Sequence, residues 1–446
     1  MARSLAEWLA LQEGAHPQSI DLGLIRVTAV AQRLGVERPQ SAVITVGGTN
    51  GKGSTVAHLE ALCLAAGRPV GLFTSPHFLR YNERIRIDGI EVADAALVAA
   101  FERIEAARGT TTLTFFEYNT LAALLLFAER GVELALLEVG LGGRLDATNL
   151  VDADVSVVCS VGLDHREWLG ETLEEIGAEK AGIFRAGRPA VLGTGRMPAS
   201  VYAAIARLGA KPVVAGEHFS WRVQAMPAAV GEPARGSAAG AARWSYRGAR
   251  LSLNDLPPSA LAGSIQYGNA ATALAALESL AAGGDRSAAA RRVVAALDER
   301  TVAAALGRVR LDGRFQIVPG PVEWILDIAH NPPAAEVLAA QLAERPCRGR
   351  TLAVVGILGD KDAPGIARAL APVLDGWFLC SLEGPRGICA AELARRLEPM
   401  VSRPVLADSV RAGCEAARAA ARAGDRVVVC GSVHTVGPAL EWLGVY

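Results

Sequence analysis

Short runs at residues 43–46, 134–139, 155–161, 322–328, 352–355, 377–382 and 426–430 are almost wholly apolar, and alanine-rich helical stretches separate them. Strands without polar alternation must bury both faces. They therefore predict an α/β chain whose sheet is mostly parallel and carries helices on each side. At 446 residues and 51% hydrophobic content, the chain is too long for one core. An alanine-rich helix is expected from Ser287 to Ala305, and a strand-rich block from Gly307, which puts a domain boundary near residue 305 and gives domains 1–305 and 306–446. The Ala/Gly/Pro/Ser tract 226–243 reads as a long surface loop between edge strands, and 281–286 as a second interruption.

Forty-five basic and 46 acidic side chains leave a net charge of −1, so no global field is available to hold nucleic acid or an anionic membrane. The expected partners are small molecules. Cys63, Cys159, Cys347, Cys380, Cys389, Cys414 and Cys430 are scattered, odd in number and lack C-x-x-C spacing, and they read as reduced core thiols. Charges near the N-terminus and the absence of a long apolar run argue against a signal peptide or membrane span. A cytoplasmic monomer is expected.

The strand-like run 42–46 leads into Gly47-Gly48-Thr49-Asn50-Gly51-Lys52-Gly53-Ser54-Thr55 and then into an apolar-periodic stretch. A strand, a glycine turn and a helix start form an anion cradle. Glycines let backbone N–H groups converge, the helix end adds its dipole, and Lys52 with Ser54 or Thr55 can reach phosphate and magnesium. The general P-loop pattern would have Gly where Val46 stands and Ser or Thr where Gly53 stands, so this is a tighter variant.

Other polar groups follow apolar runs. Glu138 precedes the glycine turn Gly140-Leu141-Gly142-Gly143, at the strand end where α/β sheets bind ligands, and is a candidate for Mg2+. Leu145 stands where a dinucleotide fingerprint would need glycine. Asp164 and His165 follow the next run; taken alone, His165 reads as a structural histidine, but beside Glu138 it suggests a cation site. Ser75 sits at a strand end turned by Pro76, and Lys180 by pattern is an ordinary helix lysine. Arg314 and Asp327 could serve a terminal phosphate and a ribose, or equally an ion pair and a helix cap.

Taken in order, several motifs resemble the Mur ligase superfamily, and within it the folylpolyglutamate synthase and dihydrofolate synthase family. They are Gly48 to Ser54, Thr74-Ser75-Pro76-His77, Phe115-Phe116-Glu117, Glu138 to Asn149, Leu163-Asp164-His165, Glu179-Lys180-Ala181-Gly182, Asp327 to Pro332 and Gly431 to Val436. The resemblance implies a P-loop ATPase domain followed by a smaller Rossmann-like domain. It also implies an ATP-dependent ligase that joins L-glutamate to a pterin-linked carboxylate through an acyl phosphate. His16-Pro17 with Ile20-Asp21-Leu22-Gly23, and Arg80-Tyr81-Asn82-Glu83-Arg84, resemble the bacterial bifunctional enzymes, which act on dihydropteroate and tetrahydrofolate.

By the same resemblance, Gly48, Thr49, Asn50, Gly51, Lys52, Gly53, Ser54 and Thr55 hold ATP phosphates, with Asn269, Arg314 and Asp327 as further ATP contacts. Ser75, Glu138, His165 and Ser54 serve one or two Mg2+ ions, with K+ as a further cation. Lys180 looks like the family's carbamylated lysine. Phe116 and Asp146 resemble the positions that stack on and hydrogen-bond the pterin, grouped with Arg80, Phe115, Glu117, Leu145, Ala147 and Ser432 on the substrate side. His330 is a candidate helper for the glutamate amine. A UDP-muramoyl ligase would need a domain ahead of the glycine turn, and a guanine-nucleotide switch would need Asn-Lys-x-Asp, whereas no asparagine here is followed by lysine.

Overall fold

A computed structural model describes residues 3–16, 18, 20–224 and 242–446. The chain forms two compact units: Met1–Val161 with Arg166–Ala260 and Gln266–Val309, and Gly162–His165 with Leu261–Ile265 and Arg310–Tyr446.

The first unit is built on eight strands: β1 (Ala42–Gly47), β2 (Val70–Phe73), β3 (Ile85–Ile87), β4 (Ile90–Glu91), β5 (Leu134–Glu138), β6 (Val155–Val158), β7 (Pro189–Leu192) and β8 (Lys211–Val214). Their order is β4-β3-β2-β5-β1-β6-β7-β8, parallel from β2 through β8, with β3 and β4 antiparallel at one edge. β1, β5 and β6 are buried at every residue, as strands covered on both faces must be. Val46 pairs with Glu138, Gly47 with Val158, and Phe73 with Leu137, so the carboxyl ends of β2, β5, β1 and β6 lie level. That edge is where α/β sheets present ligand groups. A separate antiparallel sheet, β9 (Ser220–Gln224), β10 (Arg243–Arg247) and β11 (Ser252–Leu256), has β10 in its centre. The tract between β9 and β10, expected as a surface loop, lies outside the described residues apart from its last two positions.

The second unit has β12 (Gln316–Val318), β13 (Glu323–Asp327), β14 (Thr351–Val355), β15 (Gly376–Cys380), β16 (Val405–Ala407) and β17 (Arg426–Cys430), ordered β12-β13-β17-β14-β15-β16, all parallel except β12. Helix Pro332–Glu344 starts directly after β13 because the Asn331 side chain accepts from Ala334 N (2.9 Å) and Pro332 has no N–H to lose.

All seven apolar runs are strands, though shorter than the runs in places. The helix expected over 287–305 is instead two helices, Ala288–Ala296 and Glu299–Arg308. Asp298 starts the second by accepting from Thr301 N at 2.7 Å, a capping signal hidden by the alanine-rich composition. Gly307 is therefore helical, and strands resume only at Gln316. All seven cysteines are free; Cys389 is exposed and Cys347 partly so, and these two depart from the expected core thiols.

Helix Lys52–Ala65 carries His58, which is fully buried. Its Nδ1 lies 2.7 Å from the Ser54 carbonyl and its Nε2 3.0 Å from Ser259 Oγ. If Nδ1–H donates to the carbonyl, Nε2 accepts the Ser259 hydroxyl. Burial lowers the imidazole to about 4, against the raising effect of the Ser54 bond. A depressed histidine contributes stability that is complete above its unfolded value and is lost as pH falls toward the folded one. The loss expected between pH 7 and pH 4 is about 3 kcal/mol. His58→Gln should remove that part of the pH dependence in urea unfolding; an unchanged slope would refute it.

Candidate active site

Gly48 and Gly51 have φ of 142° and 90°, a region open to glycine. A Cβ on Gly48 would come within 3.1 Å of Cys159, and one on Gly51 within 3.0 Å of Asn269 Oδ1. The glycine turn is thus pressed against β6's continuation on one side and Asn269 on the other. Thr49 N donates to Ser160 O (2.8 Å) and Asn50 N to Ser160 Oγ (3.0 Å), fixing the turn. Helix Lys52–Ala65 then begins at Gly51 with no side-chain cap, unlike helix Phe115–Arg130, which Thr114 and Glu117 cap reciprocally. An uncapped helix start behind a glycine turn leaves N–H donors and a positive dipole end for an anion. Lys52 Nζ bonds the Gly48 and Thr49 carbonyls (2.9 and 3.2 Å), which keeps the ammonium over the turn. Thr55, expected beside Ser54 at the phosphates, is instead fully buried with its hydroxyl 3.3 Å from Cys159 Sγ.

Glu138 ends β5 almost completely buried. Its Oε2 accepts from the Thr74 hydroxyl and from Ser75 N (3.3 Å). Lys180, also buried, is in helix Leu173–Ala181, started by the Thr172–Glu175 capping box. The glycine turn after β5 rests on that helix end: Arg144 N donates to Glu179 O (2.9 Å), and a Cβ on Gly143 would meet Lys180 O at 2.9 Å. Cys159 marks where these parts converge. Burial pushes its thiol up to about 11, and after the Thr55 bond the charges acting on it are those of Lys52, Glu138 and Lys180.

Among the described residues no cluster of three or more His, Cys, Asp or Glu side chains could hold a metal ion. A cation here would rest on one carboxylate, Glu138, with hydroxyls of Ser54 and Ser75 and phosphate oxygens. Such a hard, sparse donor set fits Mg2+, which keeps waters and commonly takes one or two carboxylates plus phosphate.

On the β2 side the Phe116 ring lies 5.7 Å from Phe73 and directly against Gly140. A Cβ on Gly140 would meet Phe116 Cζ at 2.6 Å. Gly140→Ala should therefore displace the ring and lower stability by about 1–3 kcal/mol, the usual cost of overpacking; a melting temperature equal to wild type would contradict this. Asp146 is buried and its carboxyl is pushed up by that burial, although hydrogen bonds oppose it. Its oxygens accept from Gly140 N (3.0 Å), Leu141 N (2.8 Å), Thr148 N (3.0 Å) and Thr148 Oγ1 (2.6 Å). Those four bonds use the roughly four lone-pair directions of a carboxylate. Asp146 thus shapes the turn, and a bond to a pterin would displace one of them. Leu145 and Ala147 flank it, the second buried.

Two of the substrate-side candidates have partners within the chain. Arg80 is largely exposed and pairs with Glu91 at 2.8 Å. Glu117 is buried and committed to Thr114 N (2.7 Å) and Arg26 (3.3 Å).

In the second unit, Asp164 gathers Lys361 Nζ (2.7 Å), Asn331 Nδ2 (2.9 Å) and His330 Nε2 (3.4 Å). Burial would raise the Asp164 carboxyl, but the His330 bond and the charges of His165, Lys361 and His330 hold it well below the usual carboxylate range. His165 Nε2, expected on a cation, is 3.2 Å from the Lys361 ammonium. His330 Nδ1 faces the Ile328 carbonyl at 2.9 Å, so both its ring nitrogens meet acceptors, surroundings that suit a donor better than a base. Asp327 accepts from Phe315 N and Ala329 N, both at 2.8 Å; burial pushes its carboxyl up against the charge of Arg314. Ser432 caps helix Val433–Leu443 through His434 N (3.1 Å). Lys361, in the loop after β14, was not anticipated.

Residues 46–193 match the Mur ligase middle domain and residues 313–433 the Mur ligase glutamate ligase domain, which makes this glycine turn and these two sheets those of a Mur-type ligase. The dihydrofolate synthase/folylpolyglutamate synthase of Escherichia coli K12 is 43% identical, over 99% of this chain and 96% of its own length. The chain belongs to the dihydrofolate synthase/folylpolyglutamate synthase family. Among solved structures, E. coli FolC in complex with DHPP and ADP matches with a TM-score of 0.87 at 43% identity, over 99% of this chain and 98% of that one. A bifunctional folylpolyglutamate synthase/dihydrofolate synthase with Mn, AMPPNP and L-glutamate bound matches at 0.85 and 40%, with the same coverage.

Proposed function

We propose that this protein is an ATP-dependent ligase that adds L-glutamate to dihydropteroate, forming dihydrofolate, and extends the glutamate tail of tetrahydrofolates. The reading rests on the uncapped helix start that carries Lys52 beside the buried Glu138, at the level carboxyl edge of β1 and β5. A substrate carboxylate oxygen would bond to the γ-phosphorus of ATP while the bond to the bridging oxygen breaks and ADP leaves. The glutamate amine would then add to the acyl carbon, expelling inorganic phosphate and losing a proton.

The phosphoryl step needs position and positive charge more than covalent help. Lys52 and the N–H groups at the start of its helix would hold the phosphates. Glu138, with Ser75 and Ser54, would hold Mg2+, which when bound neutralises charge on the phosphates. Lys180 would act as its carbamate, turning a buried cation that repels a metal into an anion that can ligate it. The Phe116 ring would stack on the pterin. Asn269, beside Gly51, would add a nucleotide contact.

With seven free cysteines, a reducing cytoplasm is the proposed compartment, and a monomer the proposed state. Purified protein with ATP, Mg2+, glutamate and either 7,8-dihydropteroate or tetrahydrofolate should yield product from both. Product from tetrahydrofolate alone would reduce the activity to tail extension, and product from neither would overturn the reading.

A further inference from the structure

We propose that Arg84, rather than Arg80, receives the reacting carboxylate of the pterin substrate and the acyl phosphate it becomes; this rests on the ligase reading above. Arg84 closes the short helical turn Tyr81–Arg84 ahead of β3, and only 8% of it is exposed. Arginine keeps its charge in proteins, and a charge so largely buried is tolerated where something answers it. The answers within the chain are partial. Nε donates to His77 Nδ1 at 2.7 Å, and the guanidinium carbon lies 5.5 Å from the Phe115 ring centre and 5.9 Å from that of Tyr81. Glu138, after Glu83, is near enough for its charge to act on Arg84, yet no carboxylate reaches ion-pair distance. Among the described residues, Nη1 and Nη2 make no hydrogen bond or ion pair, and neither is sealed from solvent.

The position of the guanidinium suits an aryl acid. The Arg84 carbonyl accepts from Thr74 N at 2.9 Å, and the Thr74 hydroxyl binds Glu138, so Arg84 is tied to the segment after β2 that flanks the candidate metal ligand. Phe115 provides an aromatic face beside it. A flat aromatic carboxylate lying there would offer two oxygens to two unused guanidinium nitrogens, the pairing in which arginine is strongest.

The test is equilibrium binding of dihydropteroate and of its carboxamide analogue, each with a non-hydrolysable ATP analogue present. Wild type should prefer the acid. Arg84→Gln should erase that preference, weakening the acid about tenfold to a hundredfold, the range charged hydrogen bonds supply. Binding of the amide and of the ATP analogue should not change. An Arg84→Gln protein that binds the ATP analogue and still prefers the acid would overturn the proposal, as would a wild type indifferent to acid or amide. Should Arg84→Gln not fold, Arg84→Lys decides: a point charge should lose at least tenfold of the preference, and an undiminished preference refutes the role. Failure of the ligase reading shows separately, as wild type that forms no dihydrofolate.

Discussion

Lys52→Ala is expected to lower ATP-dependent ligation about a thousandfold, the upper range for removing one charged donor from a preorganised anion site. The ammonium sits over the glycine turn, 2.9 Å from the Gly48 carbonyl, at the first residue of a helix with no side-chain cap. Nothing else in that turn brings a full positive charge. Its contacts to the fold are two carbonyl bonds at a partly exposed site, so the melting temperature should change little while nucleotide affinity falls. Thermal melts with and without ATP analogue separate the two effects. A variant that ligates near the wild-type rate would remove Lys52 from the phosphate site.

Lys180→Ala should be as damaging, for a different reason. Lys180 is almost fully buried, on a helix whose end supports the glycine turn after Glu138, and its charge reaches Cys159 together with those of Lys52 and Glu138. A buried ammonium beside a divalent cation, added to that of Lys52, would oppose it; a carbamate would assist it. Lys180→Arg separates charge from carbamate, since a guanidinium keeps the first and cannot form the second. Both variants should lose about a thousandfold or more in rate, bicarbonate should restore neither, and intact-protein mass spectrometry should show a CO2 adduct on wild type alone. An active Lys180→Ala enzyme would remove the carbamate from the mechanism.

The parallel sheets were legible because their strands need apolar residues on both faces, a pattern that survives in one sequence. β3, β4, β7, β8, β12 and β16 were not, being two to four residues long and mostly toward sheet edges, where little patterning is required. The glycine turn could be read residue by residue, since each glycine answers a backbone need, as Gly48 and Gly51 do beside Cys159 and Asn269. Which polar side chain faces a ligand was harder. Arg80 and Arg84 share a motif, but only packing reveals that one meets Glu91 in solvent and the other is buried among Tyr81 and Phe115. Glu117 and Asp146 likewise look like ligand groups in sequence, and in the fold a cap and a turn engage them. Lys361 gave no signal of its own, because a lone lysine after a strand is usually solvated.

The central claim is that this anion site activates a carboxylate by phosphorylating it, and fate of label tests it most directly. Dihydropteroate carrying heavy oxygen in its carboxylate should, on turnover with ATP and glutamate, deliver one labelled oxygen into the inorganic phosphate released and keep the other in the new amide. Phosphate free of label while dihydrofolate accumulates would contradict the account.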